Sequence, residues 1–115
     1  QVQSIVSQAT ADLESAESYI HEVIRQAYAM ASQGKRLPKE MKASLRLAAV
    51  NATHRSTAAV DRLYQAGGGS SIYEHSVLQR CFRDIHVTTQ HVMVASPIYE
   101  VVGRVKLGLN PRSLL

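Results

Sequence analysis

The sequence predicts an all-α fold, an up-and-down antiparallel helical bundle of two long and two shorter helices, on three observations. Apolar residues recur at alternating spacings of three and four over long stretches. Helix stop and start residues fall at the ends of those stretches. No segment of useful length alternates with the period of two that a half-buried strand requires.

The first stretch places Val2, Val6, Ala9, Leu13, Ala16, Ile20, Val23, Ala27 and Met30 on one seam, the pattern of a helix packed lengthwise on others. Gly34, just past the last seam position, is a C-terminal stop. Pro38 opens a second helix at a first-turn position. Its seam runs Met41, Leu45, Ala48, Ala52, Ala59, Leu63 and Ala66, kept slim by Thr53, Ser56 and Thr57, and Gly67-Gly68-Gly69 ends it. At about thirty residues each, these helices are about 45 Å long.

A third helix is expected from near Ser76 to about Ala95. Ser96-Pro97 supplies a cap and a first-turn proline for a short fourth helix carrying Ile98, Val101, Val102 and Val105. Gly108 and Asn110-Pro111 close it, and the last residues read as a loose tail. The first two helices outlast the last two, so part of their apolar seam lacks a partner within the chain. Copies of the same subunit or other domains are expected to cover it; the alternative is that the long helices fray or bend.

The 115 residues suit one domain, residues 1–115, with a modest core. Much of the 45% hydrophobic content is alanine, with one Phe and no Trp, which favours close helix approach and contributes little burial per residue. The net charge of +4 is spread along the chain, with Lys35, Arg36, Lys39 and Lys42 the one loose cluster. Nucleic-acid binders concentrate charge on one stripe among aromatics, so a solvated surface and no nucleic-acid partner are expected. The single cysteine, Cys81, excludes an internal disulfide and a Cys-rich zinc module, and fits a reducing, cytoplasmic setting. No run of about 20 apolar residues spans a membrane, and no signal-peptide pattern is present. A helical pattern that begins immediately after Gln1 reads as a piece of a longer polypeptide.

Polar and special residues gather in the last half of the chain, where Gln65-Ala66-Gly67-Gly68-Gly69-Ser70-Ser71 is soon followed by Cys81-Phe82-Arg83-Asp84-Ile85-His86-Val87-Thr88-Thr89-Gln90-His91. His86 and His91 are five apart, about 140° around a helix, and no carboxylate is positioned to complete a metal set, so no metal site is expected. Singly, each could donate a hydrogen bond or act as a general acid near neutral pH; each could equally be pinned in a core or interface by a backbone carbonyl. On a helix, Asp84, Thr88 and His91 share one stripe and Arg83, His86 and Gln90 another, which suggests a polar cavity. Arg83-Asp84 is either a solvated pair or a brace for the glycine run, and that run either lets backbone N–H groups approach an anion or only turns the chain. His21, His54 and His75 show no constellation and read as surface or core residues, and Cys81 as inert packing.

These residues resemble the C-terminal helical domain of the acyl-CoA dehydrogenase superfamily over nearly the whole chain, most specifically from about Gln65 to Leu109. In that family a Gln-x-x-Gly-Gly turn ends a long helix, and an Arg-Asp pair follows fifteen residues after the first of its two glycines. Gln65, Gly68 and Gly69 occupy the turn here, Arg83-Asp84 falls at the matching distance, and Arg80 is in register. The resemblance implies that Gln65, Gly68 and Gly69 contact a flavin (FAD or FMN) held mainly by other domains and a neighbouring subunit, with Ser71 in place of a usual glycine.

Many of the dehydrogenases carry their catalytic glutamate eight residues after that Asp, where this chain has Val92, which cannot abstract a proton. The run Arg83 to His91, with Tyr99-Glu100-Val101-Val102-Gly103-Arg104, is more similar to the two-component flavin-dependent monooxygenases of this fold. Those enzymes take reduced flavin from a separate reductase, form a C4a-hydroperoxide and hydroxylate aromatic or other organic substrates. The resemblance implies His91, then His86, beside the reactive edge of the flavin. It implies a homo-oligomer, dimer or tetramer, through the long helices, and a domain inactive alone. A dehydrogenase with its base elsewhere, a non-catalytic relative kept only for assembly and a free-standing helical adaptor remain the alternatives.

Overall fold

The computed structural model describes residues 1–68, 77–113 and 115. They form four helices: α1 (Val2–Ser32), α2 (Lys39–Ala66), α3 (Val77–Thr88) and α4 (Pro97–Lys106), with no strand among the described residues. The all-α architecture of two long and two shorter helices is the one expected, and it extends 51 Å along its longest axis.

The helix ends follow local chemistry. Gly34 takes φ +75° and lets Lys35 N–H reach the Met30 carbonyl, which closes α1. Gly108 does the same for α4, with φ +77° and a Leu109 N–H to Arg104 carbonyl bond. Pro97 occupies the first turn of α4 as expected, although Ser96 forms no side-chain cap bond.

α2 is the spine on which α1, α3 and α4 each pack. Ala9, Ala16, Val23 and Ala27 of α1 are buried, as are Ala48 and Ala59 of α2, so small side chains make this long contact. Asp12 braces it between Arg62, which hydrogen-bonds it, and Arg55 at 3.9 Å. The contact stripe of α1 is rotated from the expected seam. Val2, Val6 and Leu13 are exposed, and with Ile24 and Tyr28 they form an outward apolar stripe within about 80° of arc.

α3 and α4 divide the opposite side of α2 between them. α4 runs antiparallel to the N-terminal half, where Ile98, Val102 and Val105 join Ala43 and Val50 in the aliphatic core, with Leu47 and Leu115 beside it. The tail is therefore not loose: Leu115 returns to the core, and Arg104 Nε holds the Asn110 carbonyl at 2.5 Å. α3 packs on the C-terminal half of α2 and buries no residue completely.

α3 ends at Thr88, about seven residues earlier than the sequence pattern suggests. Thr88 Oγ1 and Thr89 Oγ1 donate to the carbonyls of Asp84 and His86, at 2.9 and 2.6 Å. A run of three β-branched residues, Val87, Thr88 and Thr89, of which the two threonines compete for helix carbonyls, disfavours continuation, and residues 89–96 proceed as turns. The expected start at Ser76 lies outside the described residues.

Candidate functional site

Asp61, Tyr64 and Gln65 lie at i, i+3 and i+4 on the last turns of α2, a spacing that places all three on one side of the helix. Across from them, Phe82 and His86 of α3 form a second i, i+4 pair. The two sets interlock. Tyr64 and Phe82 stack with ring centroids 4.3 Å apart, and the Phe82 and His86 rings follow at 4.4 Å. His86 Nε2 lies 2.7 Å from Asp61 Oδ1. A carboxylate only accepts, so Nε2 carries the proton in this bond and Nδ1 is left for another partner. The five side chains line a cleft of about 360 Å³.

The pair stays in contact with water, Asp61 and His86 side chains being 40% and 42% exposed. Its attraction is therefore screened, and is worth at most about 1 kcal/mol. What it supplies is orientation: the imidazole is held edge-on to a carboxylate and tilted at 44° against an aromatic ring.

The structure brings Gln65 and His86 to this cleft, which Gly68 and His91 do not line. Gly68 follows the α2 C-cap with φ +59°, and no described residue lies within 4 Å of where a Cβ would stand. Glycine is thus favoured there by backbone conformation. Gly69, Ser71 and His75 lie outside the described residues. His91 is exposed in the turns after α3 and does not line the cleft. Its Nδ1 accepts the Met93 N–H at 3.1 Å. That bond places the ring proton on Nε2, so the exposed edge of His91 is a fixed donor.

Other expectations are corrected. Cys81 is exposed, not packed. Arg83, Asp84, Thr88 and Gln90 are exposed as well, so of the two polar stripes only His86 turns into a cavity. Arg83 and Asp84 form no ion pair with each other or with another described residue. His54 has a partner after all, its Nδ1 3.2 Å from Tyr99 Oη across α2 and α4. No cluster of three metal-ligating side chains occurs among the described residues. No helix among them is long and apolar enough to cross a membrane. Asp61, Tyr64 and Phe82 carried no signal of their own; the two i, i+4 pairs were the trace available.

The match to known proteins follows the same boundaries. The model of the acyl-CoA dehydrogenase C-terminal domain covers residues 1–96. The chain belongs to this family. The HsaA oxygenase subunit of a flavin-dependent monooxygenase from Mycobacterium tuberculosis is 31% identical over 107 residues, 92% of this chain and 27% of that protein. The indole-3-acetate monooxygenase of Pseudomonas putida is 29% identical over 106 residues, 92% of this chain and 27% of that protein. The crystal structure of the M. tuberculosis HsaA monooxygenase superposes with a TM-score of 0.85 at 30% identity, covering 93% of this chain and 28% of that one. The chain thus spans about a quarter of the length of the relatives it matches.

A flavin suits the residues at this end of the molecule. Stacked Tyr64 and Phe82 present apolar ring surface to a planar group, Gln65 offers an exposed amide, and Gly68 has no side chain to bar close approach. Asp61, Gln65 and His86 are all open to solvent in part, so the cleft is a wall and not an enclosed pocket.

Proposed function

We propose that the chain is the C-terminal helical domain of the oxygenase component of a two-component flavin-dependent monooxygenase acting on an aromatic-type organic substrate. The similarity to an oxygenase subunit along 92% of the chain carries this reading. Val92, at the place where a dehydrogenase carries its glutamate, supports it.

Reduced flavin, FAD or FMN, supplied by a separate reductase, would activate dioxygen when bound. This chain's own residues bind, orient and exclude. Gln65 and Gly68, together with Gly69, hold the cofactor's phosphate side, and Tyr64 with Phe82 cover a planar surface. His91 presents Nε2–H as a preset donor to the reacting oxygen, which needs no reorganisation when charge develops. His86, oriented by Asp61, is the second donor. The outward apolar stripe of α1, with Tyr28 74% exposed, is the surface through which the long helices join a homo-oligomer, dimer or tetramer. The setting is cytoplasmic, and the domain alone does not turn over.

The test uses the full-length protein with chemically reduced flavin, oxygen and a phenolic substrate panel. His91→Ala is expected to raise hydrogen peroxide released per product by roughly tenfold or more while substrate affinity changes little. Unchanged coupling removes His91 from this role. Failure to hydroxylate any substrate while accepting an acyl thioester removes the monooxygenase reading.

A further inference from the structure

The end of the molecule where α1 passes into α2 gathers cations from three separated segments. Lys35 and Arg36 stand in the connection, Lys39 and Lys42 in the first turn of α2, and all four are exposed. α4 lies antiparallel to α2, Tyr99 meeting His54 and Lys106 Nζ reaching Ser44 Oγ at 3.3 Å, so Lys106 arrives at the same end. The tail returns there with Arg112, whose N–H is bonded to Asn110 Oδ1. Glu40 is the one carboxylate side chain within residues 33–46 and 104–115. None of the six cations forms an ion pair with a described residue. With Arg46 and Arg104, these two stretches hold eight Lys and Arg against one carboxylate, while the rest of the chain holds five against eight, so the positive charge of the chain is concentrated in them.

Helix electrostatics accounts for half of the cluster. Lys35 and Arg36 follow the C-terminus of α1, and Lys106 ends α4, where cations are favoured. Lys39 and Lys42 are placed against the field. They crowd the positive pole of α2, beside other cations, at an N-terminus whose Pro38 cap offers no side-chain acceptor. With Glu40 the one acidic residue of that turn, the helix field gives no reason for these two lysines.

The six groups come from three separated segments at one end of a molecule 26 × 24 Å in cross-section, a distribution that suits an extended partner better than a small anion. No aromatic residue lies within residues 33–46 or 104–115 to stack on a base. We propose that this end docks an acidic protein surface, with Lys39 and Lys42 as its central contacts. Such a surface speeds encounter and fixes orientation more than it adds affinity.

The test is anisotropy of a fluorescein-labelled polyglutamate peptide, and of a DNA duplex of equal charge, titrated with the full-length protein at low and physiological salt. Lys39→Glu with Lys42→Glu is expected to weaken peptide binding about tenfold or more and, by relieving the α2 pole, to raise the thermal midpoint. Lys39→Gln with Lys42→Gln gives a smaller loss in the same direction. Arg80→Glu on α3 leaves peptide binding unchanged. Unaltered peptide affinity in the double variants overturns the proposal, as does an equal loss in Arg80→Glu. Tighter binding of the duplex assigns the surface to nucleic acid, and a lower thermal midpoint in both double variants assigns the lysines to the fold.

Discussion

The two halves of α2 make contacts of opposite kinds. Its N-terminal half meets α4 through Ala43, Val50, Ile98, Val102 and Val105, an aliphatic cluster whose polar links, His54 to Tyr99 and Lys106 to Ser44, stay at the rim. Its C-terminal half meets α3 through a charge pair and stacked rings, and α3 has no fully buried residue. Aliphatic side chains can do nothing more once packed. Imidazole, carboxylate, amide and aromatic faces retain bonding capacity on their open sides, and there a cleft remains. One helix therefore serves as foundation at one end and as wall of a cleft at the other.

If that division is right, the largest stability effect belongs to the α4 half. Val102 is 2% exposed, and Val102→Asp forces an unpaired carboxylate into the aliphatic cluster. A loss of about 4 kcal/mol in urea unfolding is expected, or outright release of α4 and the tail seen by hydrogen exchange. A cost no greater than that of truncating α3's aromatic would erase the distinction between the halves.

That truncation, Phe82→Ala, removes the ring shared by Tyr64 and His86. It is expected to cost about 2 kcal/mol, less than for a fully buried ring. Hydrogen exchange should speed up in α3 while α4 stays protected, since the two helices meet α2 separately. Equal loosening of α4 would mean that the halves are coupled.

A smaller effect is expected for Asp61→Asn, which keeps an acceptor near His86 Nε2 and removes the charge. With both side chains about two-fifths exposed, a double-mutant cycle with His86→Ala should give a coupling of about 0.5 kcal/mol. A coupling several times larger would show that the pair is a structural clasp and not an oriented, available imidazole.

The same division sets what the sequence revealed. Where packing is aliphatic and helix ends are glycine or proline, as at Gly34, Pro97 and Gly108, periodicity and punctuation located the elements to within a residue or two. Alanine seams told which side of α1 is buried, yet Leu13 and Ile24 stayed outside, because apolar residues wider than the contact face satisfy the same period. The end of α3 was invisible, since helical periodicity does not register Thr88 and Thr89 hydroxyls bonding back to carbonyls. Of the residues lining the cleft, Gln65 and His86 were singled out from motif and residue type. Asp61 was not, because its partner is twenty-five residues away in sequence and its meaning exists only once α3 folds over α2.

The smallest effect lies on α1, outside both halves. Glu22 is held down to about 2 by hydrogen bonds from Arg25 and then from Gln26 on the solvent side of the helix. A carboxyl whose folded pKa is below its unfolded value stabilises the fold fully above the unfolded value, near 4.5. The contribution is then lost as pH falls toward 2. The loss should be confined to amides around Glu22, deepen at low ionic strength and leave the α3 and α4 contacts unchanged. Arg25→Ala is expected to return the Glu22 midpoint most of the way toward 4.5 in a carboxyl-carbon NMR titration. A midpoint already near 4.5 in the unsubstituted protein would mean that the Arg25 fork does not persist in solution. A shift in α3 amides on the same titration would mean that α1 senses the cleft, against the separation argued from α2.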